Sequence, residues 1–251
     1  MRSLRAVWRL ARVVVHVLHT LLVVALCWRW FDAAARQRRV AWWSGTLLRL
    51  LGITLDVEGV LRTGAALLVA NHVSWLDILA IQATCPRARF VAKAEVGHWP
   101  LLGWMIGTAG TLFIERERAR DALRVMHQMA TALAAGETVA IFPEGTNGDG
   151  RALLPFHANL LQAAIATCTP VQPVALCYSE PGLALSPAVA WVGATTLLAS
   201  LWTIACAEGL HASVRILPAQ GTRHADRRAL AAALRQTIAE AVARVAAPVS
   251  L

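Results

Sequence analysis

The chain has 251 residues, 57% of them hydrophobic and 16% charged, against globular averages of roughly 45–50% and 25%, so it holds one α/β domain of ordinary size with a short N-terminal appendage and leans toward a bilayer. Basic residues exceed acidic ones by nine, and the excess sits near an apolar run in the first 50 residues, which points to an anionic membrane surface and away from nucleic acid. Its five cysteines are widely spaced, with no Cys-x-x-Cys pair, which excludes a disulfide framework and a zinc site and suits a reducing compartment.

In chain order, Arg2, Arg5, Arg9 and Arg12 are spaced to fall within roughly an 80° arc of one helix face, a stripe suited to lipid headgroups or to plain solvation. Val13 to Cys27 is apolar apart from His16, His19 and Thr20, shorter than the roughly 20 residues of a perpendicular span. Asp32 is placed to cap a second helix to about Leu51, with Trp42 and Trp43 at interfacial depth. Residues 1–52 read as a two-helix membrane anchor and residues 53–251 as the catalytic domain. A secretory signal peptide has a similar outline, but two histidines interrupt the apolar core and a basic second helix follows.

From Gly64 onward, short β-rich runs alternate with helical patterns, which predicts a mainly parallel mixed sheet flanked by helices. Strands are expected near 66–70, 88–92, 111–115, 138–142, 171–177 and 212–217. Helices are expected near 75–84, 99–108, 118–135, 157–168, 194–207 and 224–246. The apolar stretch ending at Cys206 contains Gly193, Thr195, Thr196 and Ser200, and reads as a buried helix rather than a second membrane span. The last helix reads as an amphipathic covering helix.

Three segments carry chemistry. In Asn71-His72-Val73-Ser74-Trp75-Leu76-Asp77, Ser74 is placed to cap a helix with Asp77 at its third position. Five residues apart on a continuous helix, His72 and Asp77 would diverge by about 140°, so a pairing requires His72 to lie in the preceding turn. Asp77 then holds one imidazole nitrogen and leaves the other as a base, unless Ser74 and Asp77 are simply a capping box. In Gly110-Thr111-Leu112-Phe113-Ile114-Glu115-Arg116, a strand emerges into a charged pair; Arg116 has the planar fork that grips phosphate and equally fits a surface ion pair. In Phe142-Pro143-Glu144-Gly145-Thr146, a strand halts at proline and Gly145 is free to turn the backbone, presenting N–H groups to an anionic oxygen.

Together these segments resemble the glycerolipid acyltransferase family, the lysophosphatidate acyltransferases, in the family's own order: His-x-x-x-x-Asp at His72 and Asp77, Gly-x-x-Phe-Ile-Glu-Arg at 110–116, and Phe-Pro-Glu-Gly-Thr at 142–146. A weaker fourth match lies at 171–174, and Lys93, the only lysine in the chain, falls with Glu95 in a segment like the family's lysine segment. The resemblance covers roughly residues 60–220. It implies transfer of a fatty acyl group from acyl-CoA or acyl carrier protein to a lysolipid hydroxyl, with no metal and no resident cofactor. His72 would be the base and Asp77 its orienting partner. Lys93 and Arg116 would hold the acceptor's phosphate, and Glu144, Gly145 and Thr146 would shape the acceptor pocket, with Glu144 positioning backbone donors or Arg116. The implied acceptor is 1-acyl-sn-glycerol-3-phosphate, converted to phosphatidate in the bilayer of the inner membrane, with the catalytic domain on the cytoplasmic side.

The pattern departs in two places. Many relatives carry Arg directly after Phe-Pro-Glu-Gly-Thr and Lys after Leu-Pro-Phe; this chain has Asn147 and His157, with Arg151 nearby. Two positive charges are missing, which leaves lyso-ornithine lipid or another lysolipid open as acceptor unless Arg151 compensates. A catalytically silent membrane scaffold is the reading from a different class, and an intact His72 and Asp77 speak against it.

Overall fold

The computed structural model describes residues 2–93, 111–114 and 119–246. Helix α1 (Arg2–Cys27) and a 3-10 turn lead into α2 (Ala33–Leu51). Asp32 caps α2 as expected, its carboxylate accepting from the Ala35 N–H at 2.6 Å, and Gly52 closes it with a left-handed φ of 85°. Strands β1 (Ile53–Glu58), β2 (Ala66–Ala70), β3 (Ala88–Lys93), β4 (Leu112–Ile114), β5 (Thr138–Ile141), β6 (Val171–Ser179) and β7 (Leu210–Ile216) follow. The helices between and after them are α3 (Leu76–Thr84), α4 (Ala119–Ala134), α5 (Gln162–Ala166, preceded by a 3-10 turn), α6 (Leu197–Cys206) and α7 (Arg227–Ala246).

Among the described residues the sheet order is β1-β7-β6-β2-β5-β3-β4, and each neighbouring pair is parallel except β6 with β7. The mainly parallel sheet expected from the alternation is present. Strand β1 was not expected. It is an edge strand in which Ile53 alone is buried and Asp56 and Glu58 face out, so it lacks the continuous apolar run that marks β2 and β5. The helix expected near 99–108 lies outside the described residues.

Successive residues of β2 serve opposite faces of the sheet. Leu68 and Ala70 join an apolar cluster with Leu48, Leu51, Leu76 and Ile204, while Leu67 and Val69 join one with Met129, Leu133, Leu161 and Leu234. Helix α2 therefore shares one core with the α/β layer, Leu47, Leu48 and Leu51 all being buried. At the end of β2, the side chain of Asn71 continues the ladder. Its amide nitrogen donates to the Leu176 carbonyl at 2.9 Å, and its oxygen accepts from the Leu176 N–H at 2.8 Å.

Helix α1 is long and apolar enough to cross a membrane, with 22% of its apolar window buried against the protein. Two of its three polar interruptions face inward and His19 is exposed: His16 pairs with the Trp43 carbonyl at 3.2 Å and stacks on the Trp43 ring, and the Thr20 hydroxyl donates to the His16 carbonyl. The N-terminal arginines depart from a stripe committed to headgroups. Arg9 donates to the Ala205 and Ala207 carbonyls at 3.0 and 2.7 Å, and Arg5 to the Cys206 carbonyl at 3.2 Å and to Glu208. The C-terminus of α6 carries orphan carbonyls and a partial negative charge, so it captures these two side chains and leaves Arg12 to solvent. Helix α6 is also not the buried helix expected. Only Ser200, Ile204 and Ala205 are buried, whereas Leu198 is 79% exposed.

Replacing Asn71 by Leu would leave the Leu176 N–H and C=O unpaired in the core. Each such group costs about 1–3 kcal/mol, so urea unfolding of Asn71→Leu should show a loss of at least that size with an unchanged m-value.

Candidate active site

Four strand ends meet at one edge. Strands β2, β5, β3 and β4 are adjacent and parallel, so the segments leaving their carboxyl ends converge where open α/β sheets bind ligands. Among the described residues these are the turn at His72, the Phe142–Thr146 turn, and the strand ends at Lys93 and Ile114. Lys93 closes β3, its Cα in register with Ile114. Arg116, like Gly110, Glu115 and Glu95, lies outside the described residues.

His72 occupies the turn between β2 and α3, outside the helix, as the spacing requires. Its Nδ1 lies 2.8 Å from Asp77 Oδ2. The same oxygen accepts from the Val73 and Ser74 N–H groups at 2.7 and 2.8 Å, and Oδ1 accepts from the Tyr178 hydroxyl at 2.8 Å. Asp77 is fully buried, and these four contacts use its lone-pair positions. With the acceptor-only carboxylate at Nδ1, the imidazole proton sits there and Nε2 is left with its lone pair. The ring stacks on Phe142, centroids 4.1 Å apart and planes 11° off parallel, and Phe142 in turn stacks on Phe90.

The expected cap at Ser74 is not formed. Helix α3 starts at Leu76, and the buried Ser74 hydroxyl has no hydrogen-bond partner among the described residues. The Asp77 N–H, which such a cap would take, donates to the Ser74 carbonyl at 3.1 Å instead, while the Asp77 carboxylate accepts from the Ser74 N–H. Only the returning half of a capping box is present.

Glu144 is 5% exposed and holds two backbones together. Oε1 accepts from the His72 N–H and Oε2 from the Leu154 N–H, both at 2.8 Å. Of the two roles expected for it, positioning backbone donors is the one visible. Burial pushes its carboxyl above the ordinary value, partly offset by the two N–H donors. Gly145 turns the chain at φ 73°, and the loop returns to the turn at His72, the Gly148 N–H donating to the His72 carbonyl at 2.7 Å. Thr146 is exposed at the loop surface. Arg151 is not brought to His72; its side chain is 82% exposed, with Asp149 at 3.9 Å. The Asn147 amide nitrogen is buried without a partner among the described residues.

Tyr178 escaped the sequence reading. It is the only tyrosine in the chain, on a strand otherwise apolar, and no local pattern links it to Asp77 a hundred residues away. Burial first, and the Asp77 charge second, push its hydroxyl well above the ordinary value, so it remains a donor.

The family model described as Acyltransferase matches residues 53–177. A lyso-ornithine lipid O-acyltransferase of Pseudomonas aeruginosa is 36% identical over 213 residues, covering 85% of this chain and 81% of that one. A 1-acyl-sn-glycerol-3-phosphate acyltransferase of Neisseria gonorrhoeae is 37% identical over 214 residues, covering 83% and 82%. The crystal structure of the 1-acyl-sn-glycerophosphate acyltransferase PlsC from Thermotoga maritima is similar in fold, with a TM-score of 0.72 at 20% identity over the whole of both chains.

Two substitutions probe this network. Tyr178→Phe strips Asp77 Oδ1 of its donor and should lower stability by about 1–3 kcal/mol. Glu144→Gln sets an amide NH2 against one of two N–H donors and should cost a similar amount, read by urea midpoints. Because the folded carboxyl of Glu144 titrates above its ordinary 4.5, its contribution is complete below that value and is lost as pH rises through the folded one. The wild-type midpoint should carry that downward slope and Glu144→Gln should not.

Proposed function

The chain belongs to the glycerolipid acyltransferase family, and we propose that it moves a fatty acyl group from the thioester of acyl-CoA or acyl carrier protein to the free hydroxyl of a lysolipid. The observation that carries this reading is His72 Nδ1 held by the fully buried Asp77, with no hydrogen-bond partner at Nε2 among the described residues. The acceptor hydroxyl gives its proton to Nε2 as its oxygen attacks the thioester carbonyl. The tetrahedral intermediate then collapses, and the departing thiolate takes the proton back from the imidazolium. Asp77 stabilises that imidazolium, and its four donors fix its orientation. Stacking on Phe142 keeps the ring in plane, and Glu144 holds the His72 backbone. No acyl-enzyme, metal or resident cofactor enters these steps. Lys93 and Arg116 would hold the acceptor's anionic group, and Gly145 and Thr146 would border its pocket.

Two acceptors fit this chemistry: 1-acyl-sn-glycerol-3-phosphate, yielding phosphatidate, and lyso-ornithine lipid. The surroundings of the Phe142–Thr146 turn favour the second. Asn147 and His157 replace two expected cations, Arg151 points to solvent, and the buried Asn147 amide, without a partner among the described residues, is a neutral donor that suits an uncharged carbonyl as well as an anion. An amino-acid headgroup without phosphate asks for fewer positive charges than a phosphomonoester does. The N-terminal helices, residues 1–52, would seat the enzyme in the inner membrane with residues 53–251 on the cytoplasmic side, where both thioester donors are made.

Purified protein given acyl-CoA or acyl carrier protein and a panel of lysolipids should acylate lyso-ornithine lipid in preference to lysophosphatidate. His72→Ala should lower transfer by roughly 10²–10⁴-fold, and Asn147→Arg should shift preference toward lysophosphatidate. Undiminished transfer by His72→Ala would sink the mechanism, and no transfer to any lysolipid would leave a silent scaffold.

A further inference from the structure

Residues 181–207 contain no charged side chain, yet much of this stretch lies on the surface. Leu183 and Val192 are 49% and 43% exposed, and on α6 Leu198 and Trp202 are 79% and 43% exposed. Leu198 and Trp202 stand four residues apart and so share one helix face, flanked by exposed Ala199 and Thr203, while Ser200, Ile204 and Ala205 face the protein. A chain with 24 basic and 15 acidic residues has ample charge to place here, and soluble proteins seldom leave such a surface bare.

Two observations identify what covers it. Helix α6 packs on α1, clamped there by Arg5 and Arg9, and the outward side of α1 is mainly apolar, with Arg2, Arg12 and His19 as exposed exceptions: Leu4, Val7, Trp8 and Leu18 are each more than half exposed. An uncharged helix bearing leucine and an amphipathic indole beside such a face matches the boundary between headgroups and acyl chains. The same segment is bonded to the catalytic turn. The Trp191 N–H donates to the Val73 carbonyl at 3.2 Å, and the Trp75 indole N–H donates to Ser200 Oγ at 3.1 Å.

We propose that residues 181–207 form a second membrane-contacting surface, distinct from the N-terminal helices, with Leu198 and Trp202 seated in the lipid bilayer so that the turn bearing His72 lies against the lipid. The acceptor then reaches His72 along α6 without leaving the apolar phase for water. The N-terminal helices provide attachment, and α6 provides orientation and acceptor entry. This rests on the acyl-transfer reading only in the activity arm of the test below.

The full chain is bound to vesicles with and without brominated acyl chains, and the emission of Trp202 is obtained as the difference between wild type and Trp202→Phe. That share of the emission should be quenched by the brominated lipid; an unquenched Trp202 overturns the proposal. Quenching needs no turnover, so it stands or falls separately from the reaction. In the activity arm, Leu198→Asp with Trp202→Asp should reduce acylation of a vesicle-embedded lysolipid by roughly tenfold and leave acylation of a monodisperse short-chain lysolipid unchanged. Equal losses on both acceptors would make α6 a brace for the His72 turn and overturn the proposal. So would a wild-type dimer that these substitutions dissociate, which would give the surface to a second copy of the chain.

Discussion

The carboxylate of Asp77 is the constraint from which the site follows. A charge removed from water is tolerated only when it is well supplied with hydrogen bonds, and here four donors supply it, three at Oδ2 and one at Oδ1. They come from the His72 ring, two consecutive backbone N–H groups and a tyrosine on β6. Satisfying the charge dictates the path of the chain: residues 72–74 must wrap around the first turn of α3, and β6 must lie close enough to offer its hydroxyl. The imidazole therefore takes up one orientation, with one nitrogen committed and the other open.

Around this centre the parallel sheet gathers segments distant in sequence. Strands running the same way must end on the same side, so β2 and β5, paired in parallel from Ala66 and Thr138 onward, bring the turns that follow them together. Glu144 converts that proximity into a bond by accepting from the backbone of His72 and of Leu154. Asn71 fastens β2 to β6, the strand that brings Tyr178. The His72 turn is thus held from α3, β6 and the loop after β5, which is the rigidity a base needs to meet a hydroxyl in one geometry.

The helical face of the molecule divides its polar and apolar groups by direction. His16 and Thr20, which interrupt the apolar run of α1, turn inward onto α2, and Arg5 and Arg9 turn onto the C-terminal carbonyls of α6. Apart from the exposed Arg2, Ser3, Arg12 and His19, what remains outward on α1 is apolar. Composition at 57% hydrophobic pointed to a bilayer, and the structure gives that excess a side.

Much of this was legible in the sequence. Strands β2, β3 and β5 were marked by short apolar runs, and α2 by the Asp32 cap, because these signals are local. The requirement that His72 precede the helix came from helical geometry alone. Acidic, exposed β1 gave no such signal, and the direction of the Arg stripe was open because a helix face has no partner until something packs on it. The partners of Asp77 and Glu144 were likewise undetermined, and Tyr178 was invisible. The order and spacing of residues fixed which groups are present and which local turns they take; which buried charge meets which donor is decided across strands, where only the folded sheet brings residues a hundred positions apart within 3 Å.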